Sequence, residues 1–285
     1  MATFGGPWTQ QKLEILRAYL DAYTTALRDR PFKLIYVDAF AGEGFWRPGS
    51  GYFPEDYEEF GEVLKGSAII ALEIQDRPFD RFLFIEKDLN RIASLNRLAL
   101  QFQGQEREIQ VVNEDANVVL PHFCSTMGPY DRAVVFLDPF STEVSWTTIT
   151  AISGSDKIDC WILFPLGAIN RNMPIQNEPT PQLAAEFDRV FGGREYWQDF
   201  YRQAAQQPLL PDFTESPLQE RPQGSELIAN RYRQRLESVF YRVAPTSRTL
   251  NNSRGVALFE LFFAATNPRG APIAVQIADH LLKNW

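Results

Sequence analysis

Residues 34–44, Leu-Ile-Tyr-Val-Asp-Ala-Phe-Ala-Gly-Glu-Gly, decide the fold, because an apolar run ends here in an aspartate and then breaks into a glycine-rich turn. Residues 34–37 have the continuous apolar pattern of a strand buried on both faces, as in a parallel sheet. Gly42 and Gly44 permit positive φ and let the backbone approach a ligand closely. A strand that stops on such a loop is typical of a small-molecule site, and a plain turn is the alternative.

Length and charge restrict the kinds of protein that this chain can be. Its 285 residues, 45% of them hydrophobic, suffice for one large α/β domain with an insertion or for two small domains. A net charge of −8 does not attract nucleic acid or anionic membrane, so either partner would need a local basic patch. The two cysteines and two histidines are too few for a disulfide framework or a cysteine/histidine zinc site.

The sequence also predicts where the protein resides. Its first residues lack the basic and apolar regions of a secretion signal, and no stretch approaches the ~20 apolar residues that span a bilayer. Few cysteines are typical of a reducing compartment. We therefore expect a cytoplasmic protein without membrane partners.

Helix and strand patterns alternate outward from the first strand. An amphipathic helix is predicted over 9–27, a short helix capped by Ser67 follows the glycines, and a further helix covers 88–101. Alternation of this kind predicts an α/β, Rossmann-like, doubly wound and mostly parallel sheet. The buried strand patterns are 34–38, 81–86, 109–112, 133–137 and 160–164, and two last strands, 241–250 and 256–266, flank an antiparallel turn at 251–255.

Two segments interrupt the alternation. Residues 45–65 are rich in glycine, proline, aromatics and acids without helical or strand period, and they predict a loop inserted after the glycines. Residues 171–240 carry helical patterns over 182–191, 195–205 and 225–240, separated by proline-rich connections. We expect one domain over 1–285, with 171–240 as an α-helical insertion after the fifth strand.

Acidic side chains fall at the ends of four predicted parallel strands. These are Asp38, Glu86, Asp115 and Asp138, and parallel strand ends share one edge of a sheet, so the four carboxylates would surround one cleft. Glu86 suits the two hydroxyls of a ribose, because a carboxylate offers two acceptor oxygens. Asp115 could accept from an adenine amino group, and Asp38 could meet the cationic end of a ligand. For any one acid, a solvated strand end is the alternative.

Four short motifs at these strand ends resemble those of class I S-adenosylmethionine-dependent methyltransferases. They are 38–44 (Asp-x-Phe-Ala-Gly-x-Gly), 84–88 (Phe-Ile-Glu-Lys-Asp), 113–116 (Asn-Glu-Asp-Ala) and 136–140 (Phe-Leu-Asp-Pro-Phe). Together with 12–16, 66–73 and 164–171, they resemble the bacterial three-Cys-motif partner protein (TcmP) family. This resemblance runs from the first helix to Arg171. It implies a seven-stranded Rossmann-like sheet, methyltransferase activity on a substrate not settled for the family, and a partner protein encoded nearby.

The resemblance assigns roles to individual residues. It implies that the amino-acid part of S-adenosylmethionine lies near Asp38, Phe40, Gly42 and Gly44, the ribose at Glu86, and the adenine at Asp115 and Ala116. It implies that the catalytic segment Asp138, Pro139 and Phe140 faces the methyl group. Ser67, beyond the 45–65 insertion, could restore the contact of a helix end with the cofactor, or the insertion could act as a lid. Asn170 and Arg171 follow the fifth strand, near the predicted cleft, and are the candidates for substrate contact.

The fourth motif departs from the pattern of methyltransferases that act on nucleobase amines. Those enzymes resemble Asp/Asn-Pro-Pro-Tyr/Phe, whereas this chain has one proline between Asp138 and Phe140. A carboxylate acceptor and an aromatic ring are kept, so N-methylation of a nucleic acid or nucleotide-like substrate is one interpretation and a plain strand-to-turn segment is another. A cofactor-binding partner subunit without transfer activity is the competing function.

Residues 221–255 contain seven arginines against two glutamates. This excess could face phosphate, since arginine matches phosphate geometry, or it could be a solvated helix face. We expect no metal site, because acids without histidine at strand ends are weak evidence for one.

Overall fold

The computed structural model describes residues 7–46, 64–103, 107–173, 179–198, 222–252 and 254–285. The strands are β1 (Lys33–Asp38), β2 (Phe45–Trp46), β3 (Leu64–Lys65), β4 (Arg81–Ile85), β5 (Glu108–Val112), β6 (Asp131–Leu137), β7 (Ile158–Phe164), β8 (Arg242–Val243), β9 (Arg248–Asn251) and β10 (Ala257–Ala265). The helices are α1 (Pro7–Ala26), α2 (Ser67–Leu72), α3 (Leu89–Phe102), α4 (Ala116–Thr126), α5 (Trp146–Ser153), α6 (Leu166–Asn172), α7 (Pro181–Phe191), α8 (Pro222–Glu237) and α9 (Ala271–Asn284).

The central sheet has the order β5-β4-β1-β6-β7-β10-β8, with β9 also paired to β10. The first five strands of this order are parallel, and β10 is antiparallel to β7. This confirms the predicted α/β, doubly wound and mostly parallel fold, but the sheet has eight strands and not seven. The outer strand predicted over 241–250 is broken into β8 and β9 on either side of Pro245, whose nitrogen cannot donate to a strand ladder.

Side chains of β1 alternate between the two faces of the sheet, as a strand's period of two requires. Leu34 and Tyr36 join one buried cluster, whereas Ile35 and Val37 join the other. Helices α1, α2, α3 and α9 cover the first face, and helices α4 to α8 contribute their buried side chains to the second. The strand is therefore buried on both sides, which explains its unbroken apolar run.

The buried face of helix α1 is wider than the stripe formed by its leucines at positions 13, 16 and 20. Four further side chains are buried with them, namely Trp8, Lys12, Ile15 and Tyr19. The Tyr19 ring meets Trp161 of β7 edge-on at 5.3 Å. The helix therefore lies across the sheet with a lysine inside its apolar stripe.

The described helices of the stretch 171–240 pack on the second face of the sheet. Tyr232 of α8 stacks on Phe164 of β7 with ring centroids 4.0 Å apart. Arg235, one of the arginines in the basic stretch, places its guanidinium 3.4 Å from the Tyr196 ring centroid and 4.3 Å from that of Trp146. The Arg235 guanidinium therefore contributes to the aromatic packing between α8 and its neighbours.

Other helix predictions for this stretch have mixed outcomes. The helix predicted over 195–205 is a 3-10 turn at Arg194–Tyr196, and the part beyond 198 lies outside the described residues. Helix α6 was not predicted as such, and it carries Asn170 and Arg171 in its last turn. The division of the chain into a domain and an insertion stays a prediction.

The loop that follows β1 closes with a small ladder. Phe45 pairs with Lys65 and Trp46 with Leu64, so the ends of the segment predicted as a loop form two short antiparallel strands. Residues 47–63 lie outside the described residues, so the lid prediction stays untested. Ser67 is not the cap of α2, because Gly66 holds that position without a side-chain bond.

Gly42 and Gly44 both adopt positive φ, at +60° and +81°. A Cβ at Gly42 would meet no atom within 4 Å, whereas one at Gly44 would lie 2.7 Å from Leu98 Cδ2. The turn therefore needs glycine at both positions, and only Gly44 is also tightly packed.

These two glycines provide a matched pair of variants. We expect Gly42→Ala to lower the free energy of unfolding by about 1–2 kcal/mol, the ordinary cost of a left-handed alanine. Gly44→Ala should lower the free energy of unfolding by ~1 kcal/mol more than Gly42→Ala does, because the Leu98 side chain must leave its rotamer. Urea unfolding of both variants measures the difference, and equal losses would contradict the close contact.

Candidate functional site

A cavity of about 400 Å³ lies at the carboxyl edge of the parallel strands. Its walls come from the segments that follow four neighbouring strands of the sheet, β5, β4, β1 and β6. These are the strands after which the sequence predicts the four acids. The lining includes Ala39 and Phe40 after β1, Glu86, Asp88 and Arg91 after β4, Asp115, Ala116 and Asn117 after β5, and Phe140 and Glu143 after β6. Its volume falls within the range of about 300–1,000 Å³ usual for small-molecule sites.

Glu86 is a buried carboxylate, 7% exposed, that connects two parts of the wall. Its Oε2 accepts from the Gly42 backbone N–H at 2.9 Å, and its Oε1 accepts from the Asp88 N–H at 2.8 Å. The guanidinium of Arg91 lies 3.8 Å from Oε2. Each carboxylate oxygen has two lone pairs, so both retain capacity to accept from a ligand.

Asp115 caps helix α4. Its Oδ1 accepts from the Asn117 backbone N–H at 2.8 Å, and its Oδ2 lies 3.3 Å from Lys87 Nζ. Burial raises the pKa of Asp115, but the bonds from Asn117 and Lys87 outweigh it and lower the pKa below the ordinary value. The next residue, Ala116, is the first of the helix, so its N–H has no partner within the helix.

Asn117 ties this strand end to the segment after β6. Its Nδ2 donates to the Glu143 carbonyl at 2.9 Å, and its Oδ1 accepts from the Ser145 N–H at 2.9 Å. Arg189 of α7 donates to the carbonyls of Thr142 and Glu143 at 2.7 and 3.1 Å. The segment after β6, which forms one wall of the cavity, is therefore held in place by hydrogen bonds to both Asn117 and Arg189.

Phe140 lies at the mouth of the cavity with 41% of its surface exposed. Its N–H donates to Glu143 Oε2 at 2.7 Å, which shapes the turn after β6. The guanidinium of Arg91 lies 4.7 Å from the ring centroid. A partly exposed aromatic ring, with a guanidinium against it, therefore lies beside the cavity.

Asp138 is paired with a buried lysine. Lys12 Nζ of α1 lies 2.5 Å from Asp138 Oδ2, and the two side chains are 6% and 21% exposed. The ammonium also lies 5.4 Å from the Trp8 ring centroid and 5.8 Å from that of Phe136. Asp138 thus reaches the sheet edge with one oxygen already engaged.

Asp38 is completely buried behind the loop and does not line the cavity. Burial raises its pKa to about 7, with a further rise from Asp138, while bonds from Ser67 and the Phe40 N–H and the charge of Lys12 oppose the rise. Ser67 therefore acts on Asp38 and not as a helix cap. A direct contact between Asp38 and a ligand stays a prediction.

The predicted site residues divide into three groups. Phe40, Glu86, Asp115, Ala116 and Phe140 line one cavity. Asp38, Gly42, Gly44, Ser67, Asp138 and Pro139 form its supporting layer at the same sheet edge, outside the lining. Asn170 and Arg171 are exposed on α6 and do not line the cavity.

Sequence reasoning missed Lys12, Asn117 and Arg91. Lys12 left a signal, because it occurs four residues after Trp8 and four before Leu16 in the apolar stripe of a helix. Asn117 is two residues beyond the Asp115 cap, a position that a capping aspartate contacts. Arg91 left none, since an arginine on a surface helix is ordinary.

No protein-family model matches the chain, and no curated protein matches it in sequence. Among solved structures, protein LPL1258 from Legionella pneumophila str. Philadelphia 1 is similar with a TM-score of 0.51 and 12% identity, over 95% of this chain and 91% of that chain. The chain shares its fold with this Legionella protein.

Two further structures align less well. Magnesium protoporphyrin IX methyltransferase from Synechocystis PCC 6803, with bound SAM, has a TM-score of 0.39 and 9% identity over 90% of this chain and 80% of that chain. The putative methyltransferase yhhF from Escherichia coli has a TM-score of 0.32 and 18% identity over 52% of this chain and 68% of that chain. The fold assignment rests on the strand order and the Legionella protein.

The described residues contain neither a cluster of metal ligands nor a membrane-spanning helix. Among them, no three His, Cys, Asp or Glu side chains are grouped so that they could hold a metal ion. None of the helices in the described ranges has the length and apolar character to cross a membrane.

The buried Asp38 predicts a pH dependence of stability. In the folded protein Asp38 keeps its proton up to about pH 7, whereas in the unfolded chain it releases the proton near pH 3.8. The free energy of unfolding therefore falls as the pH rises between these two values. Asp38→Asn should flatten this slope. Urea unfolding at a series of pH values measures it.

The informative window lies between pH 6 and 7. Burial also raises the pKa of Asp159, to about 6, so this residue contributes the same sign of slope at lower pH. Asp159→Asn is therefore the matched control that should keep the slope from pH 6 to 7. An unchanged slope there in Asp38→Asn would contradict the shifted pKa.

Proposed function

We propose that this chain is an S-adenosylmethionine-dependent methyltransferase whose cofactor occupies the cavity at the carboxyl edge. The supporting observation is the convergence of Glu86, Asp115 and Phe40 on one cavity at consecutive strand ends. The sheet, mostly parallel with an antiparallel β10, also supports the Rossmann-like fold that the sequence resemblance implies, with eight strands in place of seven. Ligands of open α/β sheets bind at this edge.

Glu86 is the proposed ribose contact. Its two oxygens each accept one backbone N–H, and the remaining lone pairs can accept the 2′- and 3′-hydroxyls of a ribose. The same backbone bonds fix the carboxylate before the cofactor arrives. Preorganisation of this kind reduces the entropy lost on binding.

Asp115 and Ala116 are the proposed adenine contacts. The Ala116 N–H is suited to donate to a ring nitrogen, and Asp115 Oδ2 can accept from the exocyclic amino group in place of Lys87. Asn117 holds the first turn of α4 in position through its bonds to Asp115 and Glu143. The amino-acid part of the cofactor would then extend toward Phe40 and the glycine turn.

Asp138 is the proposed residue that orients the nucleophile for in-line methyl transfer. Lys12 holds Oδ2, and among the described residues none donates to Oδ1, which leaves that oxygen to accept from a substrate amine. Transfer from a sulfonium needs positioning more than acid or base strength, so the reaction relies on geometry. The Phe140 ring, 41% exposed at the mouth of the cavity, is the proposed aromatic contact of a base.

We propose a nucleic acid or nucleotide-like amine as the substrate class, with Asn170 and Arg171 as its outer contacts. Both residues are exposed on α6, which follows β7 at the same edge of the sheet. A three-Cys-motif partner protein, which the sequence resemblance implies, remains part of this proposal.

One observation favours a second function, that of a cofactor-binding partner subunit without transfer activity. The Lys12 ammonium engages Asp138 Oδ2 at 2.5 Å, so one of the two carboxylate oxygens is already occupied before a substrate binds. In that case the cavity would bind the cofactor and the chemistry would belong elsewhere.

Calorimetry with S-adenosylmethionine tests the cofactor. We expect Glu86→Gln to weaken binding at least tenfold, because a hydrogen bond to a charged group contributes about 1.5–3 kcal/mol. Glu108→Gln is the matched control, since Glu108 pairs with Arg81 at the opposite end of β4 and is far from the cavity edge. Failure of the unaltered protein to bind the cofactor would exclude both functions.

Methyl incorporation distinguishes the enzyme from the subunit. With tritiated cofactor and RNA, DNA or lysate fractions as acceptors, Asp138→Ala should lower incorporation at least 100-fold, because it removes the oxygen that orients the nucleophile, and should keep cofactor affinity within threefold. Asp131→Ala, at the other end of β6, is the control. Cofactor binding without incorporation by the unaltered protein, in any fraction, would favour the subunit.

A further inference from the structure

A second cavity, of about 410 Å³, lies at the opposite edge of the sheet from the site described above. It is bounded by the second half of α1, the first half of α9 and the beginning of β7. None of its lining residues lines the cavity at the carboxyl edge. The proposed cofactor site therefore does not account for it.

The walls of this second cavity are largely apolar. Tyr23 of α1 and Leu27, just after that helix, face Ala274 and Ile277 of α9, and Phe32 closes one side. Ile273 is 59% exposed at the rim. The part of a ligand that lies against these side chains would be apolar.

A buried acid lies in the wall of this apolar space. Asp159, the second residue of β7, is 9% exposed, and its Oδ2 accepts from the Tyr19 hydroxyl at 2.7 Å. Among the described residues, no lysine or arginine forms an ion pair with it. A buried carboxyl group with a single hydroxyl partner is costly unless a further donor reaches it.

Cations surround the same cavity without neutralising that acid. Arg30 and Arg269 are exposed at its mouth and have no ion-pair partner among the described residues. Arg132 lies with its guanidinium 4.1 Å from the Phe32 ring centroid, and Lys157 Nζ donates to the Met127 carbonyl at 2.9 Å. On a protein with a net charge of −8, four cationic side chains around one cavity form a local positive field.

We propose that this cavity binds a small hydroxylated aryl carboxylate. The carboxylate meets Arg30 and Arg269 at the mouth, the aromatic ring lies between Tyr23 and the aliphatic wall of α9, and the hydroxyl donates to Asp159. Each end of such a ligand supplies what its end of the cavity lacks. A plain fatty acid leaves Asp159 without its second donor, and a neutral phenol leaves the arginines without an anion.

Three related probes test this inference by calorimetry on the full chain. They are 4-hydroxyphenylacetate, phenylacetate, which lacks the hydroxyl, and 4-hydroxyphenylethanol, which lacks the charge. We expect the first to bind, and each of the other two to bind about tenfold more weakly, the size of one charged hydrogen bond. No binding of the first probe, or equal affinity for all three, would overturn the proposal.

Two variants assign the contacts. Asp159→Asn should reduce the preference for 4-hydroxyphenylacetate over phenylacetate toward unity, because the amide is a weaker acceptor than the carboxylate. Arg269 is exposed, so Arg269→Ala alters the mouth without disturbing the core. This variant should bind 4-hydroxyphenylacetate several-fold more weakly than the unaltered protein does, and its affinity for 4-hydroxyphenylethanol should be unchanged. Arg254→Ala, an exposed arginine outside the cavity lining, is the control.

The outcome is independent of the proposed cofactor. Binding of S-adenosylmethionine should be detectable whether or not the second cavity is occupied, since the two linings share no residue. If Arg269→Ala and Arg254→Ala bind 4-hydroxyphenylacetate equally, the mouth cations do not recognise the carboxylate, and the assignment of the ligand class is wrong.

Discussion

Parallel pairing of β1 with both β4 and β6 is the constraint on which the structure depends. It fixes Asp38 between Phe84 and Phe136, and it gathers the ends of neighbouring strands at one edge. A strand so placed is buried on both faces, so its sequence must be apolar until it ends. Polar chemistry is therefore confined to the edge, where the strands give way to loops and helix starts.

The acids gathered at that edge have different environments, which explains why they could serve different purposes. Glu86 has backbone donors on both oxygens, Asp115 is held ionised by the cap and by Lys87, and Asp138 has Lys12. Asp38 accepts hydrogen bonds from neutral groups, and burial raises its pKa to about 7 against the opposing charge of Lys12. The pKa values of the two aspartates, Asp38 and Asp115, thus shift in opposite directions because their neighbours differ.

The sequence predicted what depends on local pattern and missed what depends on long-range packing. The strand ends at Glu86 and Asp115 followed from apolar runs and their polar endings, and the structure places both residues on one cavity. The pair of Lys12 with Asp138 joins residues 126 positions apart, and no local spacing specifies where α1 docks. The sequence places Asn170 and Arg171 after a strand at the cleft edge, and the structure adds that both are exposed on helix α6, outside the cavity lining, so their contact with a substrate stays a prediction. A break in the outer strand could have been anticipated from Pro245.

Several of the residues that pack against helix α1 lie near the carboxyl end of the chain. Trp8 meets Phe259 with ring centroids 5.2 Å apart, Tyr19 meets Phe263 at 4.9 Å, and Glu14 accepts from the Trp285 indole at 3.1 Å. During synthesis helix α1 can meet α2 early, but the surface contributed by β10 and α9 exists only after more than two hundred further residues. Contacts of such high sequence separation form slowly and leave part of an apolar face open to chaperones until then. Because Trp8 packs on Phe259 and lies 5.4 Å from Lys12 Nζ, the surroundings of the ion pair with Asp138 are complete only when β10 has folded.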